Sequence, residues 1–398
     1  MVAASPSRSA RFEGKPLGPA QPSPLRPPGL KRSGRPLRGA MVGFGFIAEN
    51  GHLPAYLGHA GDGCALEIVA VADICEQRRE RARSLLPDAR VYEDARALVA
   101  KETDLDFLDV ATPPSEHATL THLGLDRGLH VLCEKPLATV PADARAMLEH
   151  AQRAKRVVYP CHNYKHAPVI RAVRHALDEG AIGDVRLVTL QTFRDTHAKG
   201  VRDWRTDWRR ERRWSGGGIA MDHGSHTFYL AFDWLGAFPS AITAKMSQAP
   251  GYDTEDNFTC TMSFPNGAVA SAHLTWTAGV RRVLYTIHGT LGAIRVEDDE
   301  VEIAIRSAAT AAGGKSRWEI DKQHAASAWM DAGHAGWFAS MFREFAAAID
   351  QGDFVGQEAE SSLRCVELIS TAYASARQSC RELPLPADRL LVGSRGAA

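Results

Sequence analysis

Residues 37–48, Leu-Arg-Gly-Ala-Met-Val-Gly-Phe-Gly-Phe-Ile-Ala, join a short apolar strand to a glycine-rich turn and the start of a helix. In this context Gly43 permits the tight turn, Gly45 lets the backbone approach a pyrophosphate, and Ala48 lets the helix pack closely on the sheet. The unpaired N–H groups at the start of that helix attract anions. The stretch therefore predicts a dinucleotide-binding turn with four candidate contact residues: Gly43, Gly45, Phe46 and Ile47.

The second strand, Glu67 to Ala72, is a continuous apolar run of the kind that is buried on both faces of a sheet. It ends at Asp73, where a carboxylate would accept hydrogen bonds from the adenosine ribose and repel a 2′-phosphate. A solvated acid at a strand end is the alternative interpretation, and Arg78 and Arg79 are close enough in sequence to weaken the preference. We therefore predict NAD as the cofactor, with NADP as the alternative.

Strands and helices alternate regularly between residues 37 and 160, which predicts βαβ units and a mostly parallel sheet. From residue 161 the pattern changes to one helix, at 167–179, followed by long alternating strands and two closing helices. The predicted strands span 185–193, 241–247, 258–264, 268–277, 283–288 and 294–297, and the closing helices span 334–351 and 358–380. The predicted fold class is therefore α/β: an N-terminal Rossmann dinucleotide-binding domain at 37–160, then a C-terminal α+β domain at 161–386 with a large, mostly antiparallel sheet.

Two terminal segments flank these domains, at residues 1–36 and 387–398. The first 38 residues contain eight prolines, eight lysines or arginines and one acidic residue. So few apolar side chains predict a disordered N-terminal tail, and the C-terminal segment is expected to be a flexible tail. An organelle-targeting peptide and a nucleic-acid-binding arm are the alternatives for the N-terminal segment. Because such dense proline disfavours an amphipathic targeting helix, we favour a passive tail.

Composition limits the partners of the chain. Its 47 Lys and Arg balance 47 Asp and Glu, so no overall field favours nucleic acid or an anionic membrane. No run approaches the roughly 18 apolar residues of a membrane span, and the start lacks the apolar core of a secretory signal. The seven cysteines are scattered without a CxxC pair, which suits free thiols in a reducing compartment. We therefore predict a cytoplasmic protein with neither a nucleic-acid nor a membrane partner.

The run Glu134-Lys135-Pro136 follows the fifth strand of the first domain, Leu129 to Cys133, and so lies at the carboxyl edge of its sheet. Ligands of open α/β sheets bind at that edge. Oxidation of an alcohol requires its hydroxyl proton to leave, and a lysine beside the oxygen stabilises the alkoxide that develops. A surface lysine in an ordinary turn is the alternative, but the position favours Lys135 as a catalytic cation.

Residues 214–226, WSGGGIAMDHGSH, hold the second group of candidate residues. Three consecutive glycines suit a backbone that passes close to a ligand, and Asp222 and His226 share one face if the segment is helical. His226 could exchange the substrate proton while Asp222 orients or tunes it. Asp222 as a helix cap and a metal cluster with His223 are the alternatives. No third His or Cys set lies at the usual ligand spacing, so we predict no metal.

Together these motifs resemble the Gfo/Idh/MocA oxidoreductase family, whose name joins glucose–fructose oxidoreductase and inositol dehydrogenase. The resemblance extends over residues 37–386 and includes the glycine turn at 43–48, the run ATPPSEH at 111–117, Glu134-Lys135-Pro136, and Gly216-Gly217-Gly218 with Asp222 and His226. It implies that Lys135 contacts the substrate and the nicotinamide ribose, and that Asp222 and His226 complete the site. The cofactor contacts that it adds are Thr112, Pro113, His117, Glu134 and Lys135.

The resemblance also implies a reaction, which is NAD-dependent hydride transfer between nicotinamide and a secondary alcohol or ketone of a sugar, inositol or sugar derivative. Lys135 would polarise the reacting oxygen, His226 would act as acid and base, and Asp222 would hydrogen-bond the substrate. The exposed face of the C-terminal sheet commonly serves oligomerisation in this family, so we expect a homodimer or homotetramer. Redox-neutral NAD-using glycosidases or epimerases and non-catalytic NAD-binding regulators of the same family are the alternatives.

Two features depart from the family pattern. Lys165 stands where the family often has arginine, which leaves a point charge in place of a planar fork. Residues 195–213 are unusually basic and aromatic, and they form either a solvated loop or a wall of the substrate site. In the second interpretation Trp204 faces a sugar ring and Arg205 binds a substrate carboxylate or phosphate. The candidate substrate contacts are Lys135, Lys165, Trp204, Arg205, Asp222 and His226.

Overall fold

Arg35 is the first residue that the structure, a computed structural model, describes. The described residues are 35–58, 66–306, 318–327, 329 and 333–386. Arg35 pairs with Asp104 at 3.0 Å and with Asp106 at 2.8 Å, which holds the chain against the first domain just before its first strand. Residues 1–34 of the predicted N-terminal tail and the whole predicted tail at 387–398 lie outside the described residues.

Six strands form the first sheet. They are β1 Leu37–Val42, β2 Leu66–Ala72, β3 Arg90–Tyr92, β4 Phe107–Val110, β5 His130–Cys133 and β6 Val158–Pro160. All five neighbouring pairs are parallel, in the order β3-β2-β1-β4-β5-β6, which is the strand order of a Rossmann fold. The predicted parallel α/β domain is confirmed. The reversal of strand order between β1 and β4 places a ligand-binding crevice at their carboxyl ends.

Five helices connect these strands. They are α1 Leu53–Gly58, α2 Glu76–Leu85, α3 Ala95–Lys101, α4 His117–Asp126 and α5 Pro141–Ala154. A π-helical turn, Ala48–His52, precedes α1, so the helix after the glycine turn is wider at its start than a regular α-helix. Local sequence explains where some of the helices begin. The Asp94 carboxylate accepts a hydrogen bond from Ala97 N at 2.7 Å at the start of α3, and α5 begins with a proline.

The second sheet has nine strands and is antiparallel except where β7 pairs with β10. Its strands are β7 Val185–Phe193, β8 Ala241–Ser247, β9 Asn257–Ser263, β10 Val269–Thr275, β11 Arg282–Gly289, β12 Gly292–Glu297, β13 Glu300–Arg306, β14 Trp318–His324 and β15 Leu383–Pro384. The order is β14-β13-β12-β11-β7-β10-β9-β8-β15. A large, mostly antiparallel sheet is therefore confirmed, and β9 and β10 are joined as an antiparallel hairpin.

The second sheet extends further than predicted. The last predicted strand ends at residue 297, whereas β13 and β14 continue the antiparallel order and β15 closes the other edge. The side chains of Val301 and Ile303 are buried while their neighbours are partly exposed, so β13 has the alternation typical of a strand with one covered face. A helix that the sequence analysis did not bound, Ser225–Leu235, also lies on the covered face of this sheet, and ten of its eleven residues are buried.

The remaining helices are α6 Pro168–Asp178, α7 Arg212–Ser215, α8 Ser225–Leu235, α9 Ala335–Gln351 and α10 Gln357–Arg377. The last two pack against the first sheet as well as the second. Phe342 and Phe345 of α9 lie in the core cluster that contains Met41 of β1. Leu363 of α10 packs in the other cluster of the first domain, while Ile369 packs in the core of the second. The predicted boundary at 160/161 stays a prediction, because these helices share both cores.

Two further observations concern the environment of the chain. Among the described residues, no helix is both long enough and apolar enough to span a membrane. The six cysteines within the described ranges are free thiols, five of them buried. Burial raises the pKa of Cys133, Cys260 and Cys365 above the ordinary value of a thiol, so they behave as small apolar core residues at neutral pH.

Candidate active site

The glycine turn after β1 leaves one side of its backbone open. Gly43 has a φ of +86°, and a Cβ there would lie 2.8 Å from the carbonyl oxygen of Ala111, so a larger residue would be strained and crowded. A Cβ on Gly45 would meet no atom within 4 Å, because this residue faces the crevice. The turn therefore offers exposed backbone at the position where a pyrophosphate approaches in a dinucleotide-binding fold.

Asp73 braces this turn from the end of β2. Its carboxylate accepts hydrogen bonds from Phe44 N and Cys75 N, both at 2.7 Å. Arg78 is occupied elsewhere, because its Nε donates to the Phe44 carbonyl oxygen at 2.7 Å and its guanidinium pairs with Glu49. Asp73 is thus an ordered acid on the crevice wall. Both arginines that could have weakened the preference for NAD have carboxylate partners, since Arg79 pairs with Glu76.

A single cavity of about 1220 Å³ joins the glycine turn to the residues of the second domain. Its wall is formed by residues from both ends of the described chain, since Phe338 of α9 also contributes. The predicted site residues on this wall are Gly43, Gly45, Phe46, Ile47, Asp73, Thr112, Pro113, Glu134, Lys135, Trp204, Asp222 and His226. The two motif groups that the sequence analysis singled out therefore share one site.

Lys135 and Asp222 form a partly buried ion pair. Lys135 Nζ donates to the Asp222 carboxylate and to its main-chain oxygen, both at 3.0 Å, and the two side chains are 14% and 13% exposed. Burial by itself would raise the pKa of Asp222, but the charges of Lys135 and Arg209 hold it well below its ordinary value. The carboxylate is therefore ionised at neutral pH and fixes the lysine ammonium on the cavity wall.

His226 is a neutral imidazole on the same wall. Burial, followed by the positive charge of Lys135, lowers its pKa well below 6.5. Its ring stacks on Tyr164 with centroids 3.9 Å apart, and Nδ1 lies 3.2 Å from the Tyr229 hydroxyl. Asp222 lies in a π-helical turn, Ala220–Gly224, so Asp222 and His226 are not related by regular α-helical geometry. His226 nevertheless lines the same cavity as Asp222.

Glu255, which no sequence pattern indicated, holds the glycine segment that carries these residues. Its buried carboxylate accepts hydrogen bonds from Gly218 N at 2.9 Å and Ala220 N at 3.0 Å, and Tyr373 donates to it at 2.9 Å. A Cβ on Gly218 would lie 1.9 Å from the Glu255 carbonyl oxygen. Glycine is therefore required at position 218 by this close approach of backbone to backbone, and not by a ligand.

A buried triad beneath Lys135 was also not predicted. His52 Nδ1 lies 2.8 Å from Asp109 Oδ2, and Nε2 lies 3.0 Å from Glu134 Oε1. Burial alone would lower the pKa of His52, but the two carboxylates raise it to about 10. Tyr56 adds a hydrogen bond to Asp109 at 2.9 Å. Glu134 precedes Lys135 directly, so this charged triad fixes the main chain from which the lysine projects.

Within the described ranges, one group of possible metal ligands has its donor atoms all within 4.8 Å of one another. It consists of His52, Glu134 and Cys161. Both nitrogens of His52 already face carboxylate oxygens, so hydrogen bonding accounts for its surroundings. This group differs from the cluster of Asp222 and His223 that the sequence suggested. The prediction of no metal stays a prediction.

Three predicted contact residues do not line the cavity. His117 is fully buried, with Nδ1 2.8 Å from the Pro136 oxygen and Nε2 2.9 Å from the Thr112 oxygen, so it joins two loops of the cofactor crevice. Lys165 Nζ donates to Glu358 at 2.7 Å and faces away from the cavity. Both residues were carried over from the family resemblance, which identifies a position in the sequence but not the direction in which its side chain points.

Arg205 is the third. Its guanidinium lies over the Trp214 ring at 5.0 Å from the centroid and 3.9 Å from Glu211, behind the aromatic wall and not on it. Trp204 does line the cavity, as does Arg209, whose Nε lies 3.4 Å from Asp222 Oδ1. The basic and aromatic segment is therefore part of the wall, but Arg209 is the arginine that reaches Asp222.

Models of one oxidoreductase family match two parts of the chain. Residues 37–162 match the family's NAD-binding Rossmann fold, and residues 170–295 match the GFO/IDH/MocA C-terminal domain. Together the two matches cover more than half of the chain. They agree with the parallel first sheet and the mostly antiparallel second sheet.

Known proteins resemble the chain over most of its length. The D-apiose dehydrogenase of Paraburkholderia graminis is 29% identical over 350 residues, which cover 86% of this chain and 88% of that protein. The levoglucosan dehydrogenase of Pseudarthrobacter phenanthrenivorans is 28% identical over 52% of this chain and 60% of its own length. A structure of levoglucosan dehydrogenase in complex with NADH shares the fold, with a TM-score of 0.76 at 23% identity over 88% of this chain and 100% of that chain. The chain belongs to the Gfo/Idh/MocA family of NAD-binding oxidoreductases.

Proposed function

We propose that this protein uses NAD to interconvert a secondary alcohol and a ketone on a sugar or polyol. The observation that carries the proposal is the ion pair of Lys135 and Asp222, which shares a cavity wall with His226 while the glycine turn opens on the same cavity. Relatives named as D-apiose dehydrogenase and levoglucosan dehydrogenase support a sugar as the substrate class.

Lys135 polarises the reacting oxygen in this proposal. Two of its three N–H donors point to the side chain and main chain of Asp222, which leaves one for the substrate. Because the pair is largely removed from water, the ammonium stabilises a developing alkoxide more strongly than an exposed lysine does. Asp222 keeps the ammonium in place and offers a second carboxylate oxygen to a substrate hydroxyl.

His226 exchanges the proton of the reacting hydroxyl. Its Nδ1 faces the Tyr229 hydroxyl, so Nε2 is the ring atom left for the substrate. A neutral imidazole accepts the hydroxyl proton when the alcohol is oxidised and returns it when the ketone is reduced. Lys135 lowers the basicity of this histidine and the pKa of the substrate hydroxyl together, which keeps the proton transfer feasible.

The first domain would hold the cofactor. When bound, NAD supplies the nicotinamide that takes a hydride from the alcohol carbon or gives it to the ketone. The open side of Gly45 accommodates the pyrophosphate, and Thr112 and Pro113 line the crevice beside it. Asp73 lies where it can accept hydrogen bonds from the ribose hydroxyls in addition to those from Phe44 and Cys75.

The placement of Asp73 leads to a prediction about cofactor choice. We expect NADH to bind about 10-fold or more tightly than NADPH, because a 2′-phosphate would face the Asp73 carboxylate. Fluorescence titration of the wild-type protein with both dinucleotides measures the ratio. The Asp73→Asn variant is expected to narrow it, since the amide oxygen still accepts one backbone hydrogen bond but carries no charge. Tighter binding of NADPH by the wild type would show that the acid does not select the cofactor.

The pKa of His226 leads to a prediction about pH. The histidine must be neutral to accept a proton, and its pKa lies well below 6.5, so it stays neutral as the pH falls through 6.5. We therefore expect kcat/KM for alcohol oxidation to hold constant down to pH 6.5 and to decline only below it. The profile is measured with saturating NAD in buffers of constant ionic strength. A half-loss of activity at or above pH 6.5 would argue against His226 as the base.

A screen of sugars, inositols and polyols with NAD, read as absorbance of the reduced nicotinamide, tests the proposed function. A responsive substrate supports it. If no compound reduces NAD but a sugar is epimerised or a glycoside cleaved in its presence, the redox-neutral alternatives take its place. If the protein binds NADH but transforms none of these compounds, the regulatory alternative does. The intact set of Lys135, Asp222 and His226 favours catalysis over regulation.

The cytoplasmic location and the homodimer or homotetramer stay predictions. The uncovered face of the second sheet carries exposed apolar side chains, among them Leu187 on β7 and Ile320 on β14. Such a face favours self-association, because burial of apolar surface stabilises a complex.

A further inference from the structure

Four arginines are buried among the described residues: Arg78, Arg194, Arg210 and Arg364, each 6–8% exposed. Three of them have carboxylate partners. Arg78 pairs with Glu49, Arg210 pairs with Asp256, and Arg364 lies 2.9 Å from Glu367. A buried guanidinium is strongly disfavoured without such compensation. Each of these three buried arginines is therefore compensated by a carboxylate.

Arg194 is the exception. Its Nη1 donates to the Phe193 carbonyl oxygen at 3.0 Å. Over the part of the chain that the structure describes, its side chain makes no other hydrogen bond and has no carboxylate within 4.0 Å. A guanidinium carries five N–H donors, so most of them have no protein acceptor there. Asp195 lines the cavity next to it but is exposed and does not pair with it.

Arg194 lies on the wall of the catalytic cavity, in the part near His223 and Asp222, which we call the substrate half. It follows the last residue of β7, and its charge helps to lower the pKa of His223, to which burial contributes most. His223 is the residue next to Asp222, so the guanidinium stands near the catalytic ion pair. The glycine turn that would receive the cofactor phosphates is at the other end of the same cavity.

A second arginine lies beside Arg194 on this wall. Phe193 pairs with Arg282 where β7 and β11 run antiparallel, so Arg194 and Arg281 follow at opposite positions just beyond the pair. Both line the cavity. Burial and then the charge of Arg194 lower the pKa of Arg281, whereas nearby acidic side chains raise it. Two guanidiniums at neighbouring positions on one cavity wall favour an anionic group of a ligand.

We propose that Arg194, with Arg281 beside it, forms an anion subsite in the substrate half of the cavity, and that the substrate is an acidic sugar. The shared chemistry is an oxyanion group, either a carboxylate of a sugar acid or a phosphate ester, held by the planar fork of Arg194. This inference rests on the proposed function, and it adds a charge requirement to the substrate class. It also replaces Arg205, which lies behind the wall, as the anion-binding arginine.

The test compares three sugars of the same configuration, each with NAD: a neutral aldose, the corresponding uronate, and the 6-phosphate of the aldose. In the wild type we expect a higher kcat/KM for one of the two acidic sugars than for the neutral sugar. In Arg194→Met that preference falls about 10- to 100-fold, because a charge-assisted hydrogen bond is lost, while kcat/KM for the neutral sugar falls far less than kcat/KM for the acidic one. Arg194→Lys restores part of it as a point charge. If the uronate loses its advantage over the neutral sugar in Arg194→Met, the bound group is a carboxylate; if the 6-phosphate does, it is a phosphate.

Arg186→Met is the matched control, since Arg186 is an exposed arginine on the same strand that pairs with Asp184 outside the cavity. It should leave the preference intact. Equal discrimination between acid and neutral sugar in the wild type and in Arg194→Met overturns the inference while the proposed function stands. The inference is also overturned if Arg194→Met loses as much affinity for NADH as it loses preference for the acidic sugar, because the bound anion would then belong to the cofactor.

A second measurement covers the case in which no sugar is oxidised, which would count against the proposed function. Binding of the same three sugars to the NADH-loaded protein is then measured by calorimetry. We expect the acidic sugar to bind more tightly, and to raise the midpoint of thermal unfolding in the wild type but not in Arg194→Met. Equal binding of the neutral and acidic sugars overturns the anion subsite. Tight binding of the acid that survives in Arg194→Met overturns the role of Arg194.

Discussion

Replacing Lys135 by methionine is expected to lower kcat/KM for the responsive sugar by about 100- to 1,000-fold, the usual effect of removing one preorganised group that stabilises an oxyanion. Methionine keeps much of the length and the apolar stem of lysine but removes the charge. Affinity for NADH should change far less, because the glycine turn and Asp73 remain in place. Steady-state kinetics and a dinucleotide titration on the same preparation separate the two effects.

Lys245→Met is the control for this experiment, since Lys245 is an exposed lysine on β8, away from the cavity. It is expected to retain wild-type kinetics. Asp222→Asn is an informative companion, because it leaves Lys135 in the cavity without its carboxylate partner. If kcat/KM survives Lys135→Met unchanged, the lysine does not polarise the reacting oxygen and the catalytic assignment fails.

The fold could be predicted largely from local sequence. Buried parallel strands have continuous apolar runs, so the predicted start and end of β2 lie within one residue of those observed. Strands with one covered face alternate, so the predicted bounds of β7 and β8 match the observed ones to the residue. The glycine turn had the strand before it and the helix after it that give such a motif its meaning. The strands that were missed are β13, β14 and β15. β14 and β15 lie at the two edges of the second sheet and show little burial, whereas β13 alternates clearly and was overlooked.

The site could be predicted only in part. Motif residues such as Lys135 and Asp222 were found because their neighbours form recognisable runs. His52 and Asp109 are 57 residues apart, and Arg194 differs from other arginines only in what surrounds it. No local pattern reports which buried charges have partners, since pairing depends on tertiary contacts. Lys165 shows the converse, because it lies next to site residues in sequence yet its side chain turns to Glu358.

Replacing His52 by leucine is expected to lower the free energy of unfolding by about 3–5 kcal/mol, the usual cost of removing one partner from a buried charged network. The imidazolium lies between two carboxylates, Asp109 and Glu134, and is itself fully buried. In the variant, the two buried carboxylates face an apolar side chain and lose the positive charge between them. Because Glu134 holds the main chain of Lys135, the variant should also lower kcat. Urea unfolding followed by far-ultraviolet circular dichroism measures the stability change.

The cost of this substitution is expected to depend on pH in a direction fixed by the pKa of His52. The folded-state pKa, about 10, exceeds the ordinary histidine pKa of 6.5. The stabilisation is therefore fully present below pH 6.5 and is lost as the pH rises through 10. His52→Leu should cost more at pH 6 than at pH 9, whereas His175→Leu, at an exposed histidine, should cost within about 0.5 kcal/mol at both. Adding Asp109→Asn to His52→Leu should recover part of the loss, since one buried charge is removed. A cost that is the same at both pH values would mean that His52 is neutral in the folded protein and that the triad is held by uncharged hydrogen bonds.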